Sequence, residues 1–127
     1  MTNPLSDART DLAALMRTTG ITVTDHEPDR PAPPQIVIRP STDTWITENE
    51  TFSSTLDLHM SVLLVTRPAD SNAATLALED MLHSAITALQ DDGRYVIDQI
   101  SRPMTLIVSQ QMAFPAVEIT LTTQVTI

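Results

Sequence analysis

Ser54-Thr55-Leu56-Asp57-Leu58-His59-Met60-Ser61-Val62-Leu63-Leu64-Val65-Thr66 is the most legible stretch of the chain. Leu56, Leu58, Met60, Val62 and Leu64 alternate with Thr55, Asp57, His59, Ser61 and Leu63. A two-residue period puts one set on each side of a pleated strand. One set is apolar and the other mostly polar, so the strand has a single buried face, which is the habit of an antiparallel sheet. Arg67-Pro68 ends it.

A second stretch has the same texture. In Ala116–Ile127, Val117, Ile119, Leu121, Thr123, Val125 and Ile127 face one way, and Glu118, Thr120, Thr122, Gln124 and Thr126 the other. Shorter β-branched runs at Gln35–Arg39, Tyr95–Ile97 and Thr105–Val108 read as further strands. Arg102-Pro103 interrupts or bulges between the last two. Ile21 and Val23 fit a short strand ahead of a proline-rich connector that reaches Pro34.

Two segments have helical spacing instead. Leu5, Ala8, Leu12, Leu15 and Met16 share one face; Ser6 is the expected N-cap, and Gly20 supplies the left-handed stop, with the end near Thr18. Ala74, Leu78, Met81, Leu82, Ala85 and Leu89 form the stripe of a second helix, capped at Asp70 or Ser71, reaching about Gln90 and closed by Asp91-Asp92-Gly93. The expected architecture over residues 1–127 is one α+β domain. It is a mostly antiparallel sheet of about four strands, two helices packed on one face, and a protruding loop or hairpin at 41–52.

Composition removes several classes of function. The 127 residues carry 16 acidic against 7 basic side chains, a formal net charge of −9, and every basic residue is Arg. Binding nucleic acid through its phosphates needs a basic stripe, and docking on an anionic membrane needs a basic patch. There is no Cys, which excludes disulfides, thiolate metal sites and cysteine nucleophiles. Gly20 and Gly93 are the only glycines and are far apart, so no glycine-rich phosphate loop exists. Met1–Asp7 has no signal-peptide pattern, and no apolar run, Val62–Val65 among them, approaches the length of a membrane span.

The groups available for chemistry are sparse. Asp57 and His59 share one sheet face, and Glu118 joins them if its strand is the partner. An acid–base or metal site there competes with the commoner outcome, a solvated face with cross-strand pairs. No H-E-x-x-H spacing and no G-x-S-x-G elbow is present. No catalytic residue, cofactor or metal ligand is expected. Apolar groups outside the periodic core are the more unusual feature. Trp45, Ile46 and Phe52 lie in the 41–52 loop, and Leu63 and Val65 fall on the otherwise polar face of their strand. These five are candidates for a subunit or partner interface. Alternatively, the loop folds back and buries Trp45 in its own domain.

Read end to end, the layout resembles the tail terminator (tail completion) proteins of long-tailed bacteriophages. The residues that carry the likeness run through most of the chain. A helix ends near Gly20, and a proline-rich approach leads to Pro34-Gln35-Ile36-Val37-Ile38-Arg39-Pro40. The polar loop 41–52 precedes the long strand Leu56–Thr66. A helix of about twenty residues starts at Asp70-Ser71-Asn72. Ile97 to Val108 contains Arg102-Pro103, and Ala113-Phe114-Pro115-Ala116 enters the last strand. Gln110-Gln111-Met112 stands where such proteins often have a glycine.

The resemblance implies a structural virion protein without catalytic residues. It would form a hexameric ring that caps the tail tube, ends its polymerisation and joins tail to head. The implied partners are other copies of the chain, the major tail tube protein and a head-completion or neck protein, with DNA passing through unbound. The implied location is the virion head–tail junction, and the host cytoplasm during assembly. An acidic or neutral lumen would suit DNA passage, and Arg30, Arg39 and Arg94 clustered on its wall would count against that. A head-closure or adaptor protein, or a tail-tube protein, is the near alternative. A small-molecule-binding regulatory α+β domain is the alternative of another class, and an enzyme using Asp57, His59 and Glu118 is the third.

Overall fold

The computed structural model describes residues 3–26, 32–41, 44–48, 55–68, 70–109 and 112–126. Its elements are α1 (Pro4–Arg17), β1 (Thr22–Thr24), β2 (Gln35–Pro40), β3 (Ile46–Glu48), β4 (Thr55–Val65), α2 (Ser71–Asp92), β5 (Val96–Ile100), β6 (Met104–Ser109) and β7 (Met112–Thr126). The strands make one seven-stranded sheet in the order β1-β2-β4-β7-β5, with β3 against β4 and β6 against β7. β1 pairs in parallel with β2, and all other pairings are antiparallel.

The expectation of a sheet of about four strands is therefore wrong: the sheet has seven strands and is mixed. The physical reason is that two columns of the sheet are each broken in two, and β1 adds a parallel edge. β2 and β3 both lie along the same side of β4, at Met60–Val65 and Leu56–Leu58. The break falls at His59. Ser41 N donates to the His59 carbonyl at 3.1 Å, and His59 N donates to the Trp45 carbonyl at 2.7 Å. The column thus leaves and rejoins β4 on one residue. Part of the expected 41–52 loop is therefore sheet; residues 42–43 and 49–52, Phe52 among them, lie outside the described residues.

The second break falls at Arg102-Pro103. Ser101 N donates to the Glu118 carbonyl at 2.9 Å, and Glu118 N donates to Ser101 Oγ at 3.0 Å. Pairing resumes at Met104, opposite Ala116. Three steps along one column therefore match two along β7. Pro103 has no N–H to give the ladder, so the surplus residue is accommodated there.

Both helices lie on one face. Leu12, Ala13 and Met16 of α1, with Met81, Ala85 and Leu89 of α2, bury against Ile36, Ile38, Leu58, Met60, Val62, Leu64, Ile119 and Leu121 of the sheet. Asn3, not Ser6, caps α1: its side chain accepts from Leu5 N at 2.9 Å and Ser6 N at 3.3 Å, and Pro4 takes the first helical position, where a missing N–H costs nothing. Asp70 caps α2 by accepting from Ala73 N at 3.0 Å. Gly93 ends it at φ 81°, a conformation that favours glycine.

Candidate functional site

The helix-free face is polar in its middle and apolar at one end. Its polar part is organised as a row across four strands. His59 on β4 uses both ring nitrogens, Nε2 at 2.8 Å from Thr47 Oγ1 on β3 and Nδ1 at 3.0 Å from Thr122 Oγ1 on β7. Thr122 donates its one proton to Asp98 on β5. It therefore accepts from His59 Nδ1, and in the neutral ring Nε2 then accepts from Thr47. Thr47, His59, Thr122 and Asp98 form a chain of hydrogen bonds from one side of the sheet to the other.

Glu118 takes no part in that row. It accepts from Arg39 Nη2 at 3.1 Å and from Ser61 Oγ at 2.7 Å, Ser61 being one pleat along β4 from His59. Ser61 is fully buried, and the Arg39–Glu118 pair is mostly so. His59 and Glu118 thus hold separate sets of partners, and the three-residue site at Asp57, His59 and Glu118 is not assembled as one hydrogen-bonded cluster. Among the described residues no three His, Asp or Glu side chains gather in a way that could hold a metal. An open cleft of about 730 Å³ overlies the row, lined by Asp57, His59, Arg94, Val96, Asp98 and Thr122, among others. No helix among the described residues is long and apolar enough to cross a membrane.

Arg94 anchors one end of this cleft. Its Nε and Nη2 meet the Asp92 carboxylate at 2.6 and 2.9 Å, and its guanidinium lies 5.5 Å from the Tyr95 ring centroid. The fork holds the Asp92 carboxyl below its ordinary range and pushes the Arg94 pKa further up. Burial of the ring raises the Tyr95 phenol. Arg39 and Arg94 are thus each paired with a carboxylate, and Arg30 lies outside the described residues.

The five candidate interface residues separate. Trp45 is 47% exposed, at the point where the chain re-enters the sheet, and Ile46 beside it is half-buried against the core. Leu63 and Val65 are 2% and 0% exposed, packed with Val37, Phe114, Ala116 and Leu106 in a second apolar cluster on the helix-free face. They are core residues of the subunit, because β6 and the start of β7 bring Leu106 and Phe114 beside them.

Sequence reasoning missed a different set. Val96, Ile100, Met104 and Ile107 are all exposed, Val96 at 65% and Ile107 at 74%. They account for four of the six large apolar side chains exposed among the described residues, and all four lie on the β5–β6 column. The signal was apolar residues at both parities of these runs, which a strand with one solvated face does not need. Set beside known proteins, the chain matches no family model and no curated protein.

Proposed function

We propose that the chain is a ring-forming structural protein of the bacteriophage head–tail junction, a tail terminator. The observation that supports this reading is the placement of exposed apolar groups. One set occupies the β5–β6 column, and Trp45 stands beside the β2–β3 column on the other side of β4 and β7. The two patches are unlike and lie at opposite edges of one sheet. A subunit that meets its neighbours head-to-tail needs such a pair, and a head-to-tail contact closes into a ring when its rotation divides a full turn. The acidic surface, with Arg39 and Arg94 both neutralised by carboxylates, also suits a passage that must not retain DNA.

On this reading the partners are further copies of the chain, the tail tube protein beneath the ring and a head-completion protein above it. Native mass spectrometry and negative-stain imaging test it, with and without added tube protein. Sixfold rings are the expected result. A strictly dimeric species that binds a metabolite would overturn the reading and favour the regulatory-domain alternative.

A further inference from the structure

Asp92-Gly93, at the end of α2, is the only place in the chain where glycine follows aspartate. Such a link can rearrange. The glycine nitrogen attacks Cγ of the aspartate, and glycine has no Cβ to hinder the approach. A C–N bond forms, a carboxyl oxygen leaves as water, and a five-membered succinimide results. Water then opens the ring at either carbonyl. One opening restores aspartate. The other gives isoaspartate, whose main chain runs through the side-chain carbons. Nothing is oxidised or reduced.

We propose that Arg94 guards this link, so that Asp92-Gly93 is a modification site that the folded chain keeps closed.

Burial does not protect it. Gly93 and Arg94 are both exposed and both line the open cleft over the His59 row, so water reaches the link. Orientation protects it. Gly93 N donates to the Leu89 carbonyl at 3.2 Å, which engages the attacking atom in the last turn of α2. The carboxylate is held from the other side. Asp92 Oδ1 accepts from Arg94 Nε at 2.6 Å and from Arg94 N at 3.3 Å, and Oδ2 accepts from Arg94 Nη2 at 2.9 Å. Ring closure needs the carboxyl group to turn until Cγ meets Gly93 N. It also needs one oxygen to take up a proton before it leaves. Both moves break the fork. A carboxylate paired in this way stays ionised, which is the form slower to close.

The guanidinium is itself steadied. Its Nη1 lies 3.6 Å from Asp11 Oδ2 on α1, and its carbon lies 5.5 Å from the Tyr95 ring centroid. A lysine could not do the same work, because one ammonium cannot grip both carboxylate oxygens in parallel. Conversion to isoaspartate would lengthen the connection from α2 to β5 and take the carboxylate out of the fork. The guard operates in a lone subunit, whatever the chain assembles into.

The test is to age the parent, Arg94→Gln and Arg94→Lys at neutral pH in water enriched in heavy oxygen. Circular dichroism checks that each is folded. An endoprotease that cuts before aspartate but not before isoaspartate, with mass spectrometry, locates the product. Heavy oxygen at that residue marks passage through the succinimide. Isoaspartate at Asp92 should build up about tenfold faster in both variants than in the parent, the order expected when charge-assisted hydrogen bonds no longer hold the ground state. In urea the parent should lose its advantage. Asp70-Ser71 is the internal control and should age equally in all three folded chains. Equal rates at Asp92 in folded parent and Arg94→Gln would overturn the proposal. So would full protection in Arg94→Lys, a parent no faster in urea than when folded, or a rise at Asp70 that matches the rise at Asp92.

Discussion

Arg39 and Glu118 are 79 residues apart in sequence and 3.1 Å apart in space, joined across β4 with Ser61 between them. The pair stands apart from the Thr47–His59–Thr122–Asp98 row. It pins β2, β4 and β7 in register on the face that lacks helices. One pleat further along that face begins the apolar cluster around Leu63.

Replacing Glu118 with Gln should therefore cost stability without altering the fold. The amide oxygen still accepts from Ser61, but Arg39 exchanges a charged partner for a neutral one in a mostly buried place. A loss of about 1–3 kcal/mol is expected, read by urea denaturation of the unassembled chain. The double change Arg39→Met with Glu118→Leu should recover part of it, since an apolar pair removes both charges from a mostly buried place. If Glu118→Gln proves as stable as the parent, solvent is screening the pair.

Leu63→Ala and Val65→Ala test whether the second cluster is core. Both side chains are buried, so truncation should lower stability by about 1–4 kcal/mol in chemical denaturation at concentrations where no assembly forms. An interface residue would behave otherwise, with unchanged subunit stability and weaker assembly.

Trp45→Ala should give that opposite pattern. The side chain is half in solvent, and the hydrogen bond that ties the residue to β4, from His59 N to the Trp45 carbonyl, is made by its backbone and survives the change. Subunit stability should change by about 1 kcal/mol or less. Assembly followed by sedimentation should weaken. Because Trp45 is the only tryptophan, its fluorescence in the parent should shift to the blue as rings form. Emission that stays the same on assembly would remove Trp45 from the contact.

The Asp92–Arg94 fork predicts a pH dependence with a definite sign. The folded state holds the Asp92 carboxyl below its ordinary value of 3.8. A depressed carboxylate pKa adds stability above the unfolded value, and that stability is lost as pH falls through the folded one. Asp92→Asn should therefore lower the melting temperature near neutral pH. The gap to the parent should begin to narrow as pH falls below about 4 and close only below the depressed folded value. A gap that persists in acid would mean the side chain acts through packing alone.

Much of this could be read from the residues because period and caps agree. The alternation in Ser54–Thr66 corresponds to β4, the stripe from Ala74 to Leu89 to α2, and Gly93 to its stop. Two things were hidden, for physical reasons. Breaks in a column depend on which partner residue the chain rejoins. Ser41 and Trp45 both bonding to His59 is a tertiary fact with no local signature beyond Pro40. The burial of Leu63 and Val65 was equally opaque. Strand parity predicts which face a residue takes but not what lies over it, and Phe114 and Leu106 come from far along the chain. The α1 cap is legible locally, since Asn3-Pro4 is itself a helix-start pattern.

The long register between β4 and β7 also governs when the molecule can fold. Thr55 meets Thr126 and Val65 meets Ala116, so α2, β5 and β6 are all synthesised between the two halves of the central pair. As the chain emerges from the ribosome, β4 waits without its main hydrogen-bonding neighbour until β7 appears. Pairings this distant in sequence are slow to close, because loop entropy is lost before the contacts form. Helices α1 and α2, both complete before β7, lie on that face and can shield β4 in the interval.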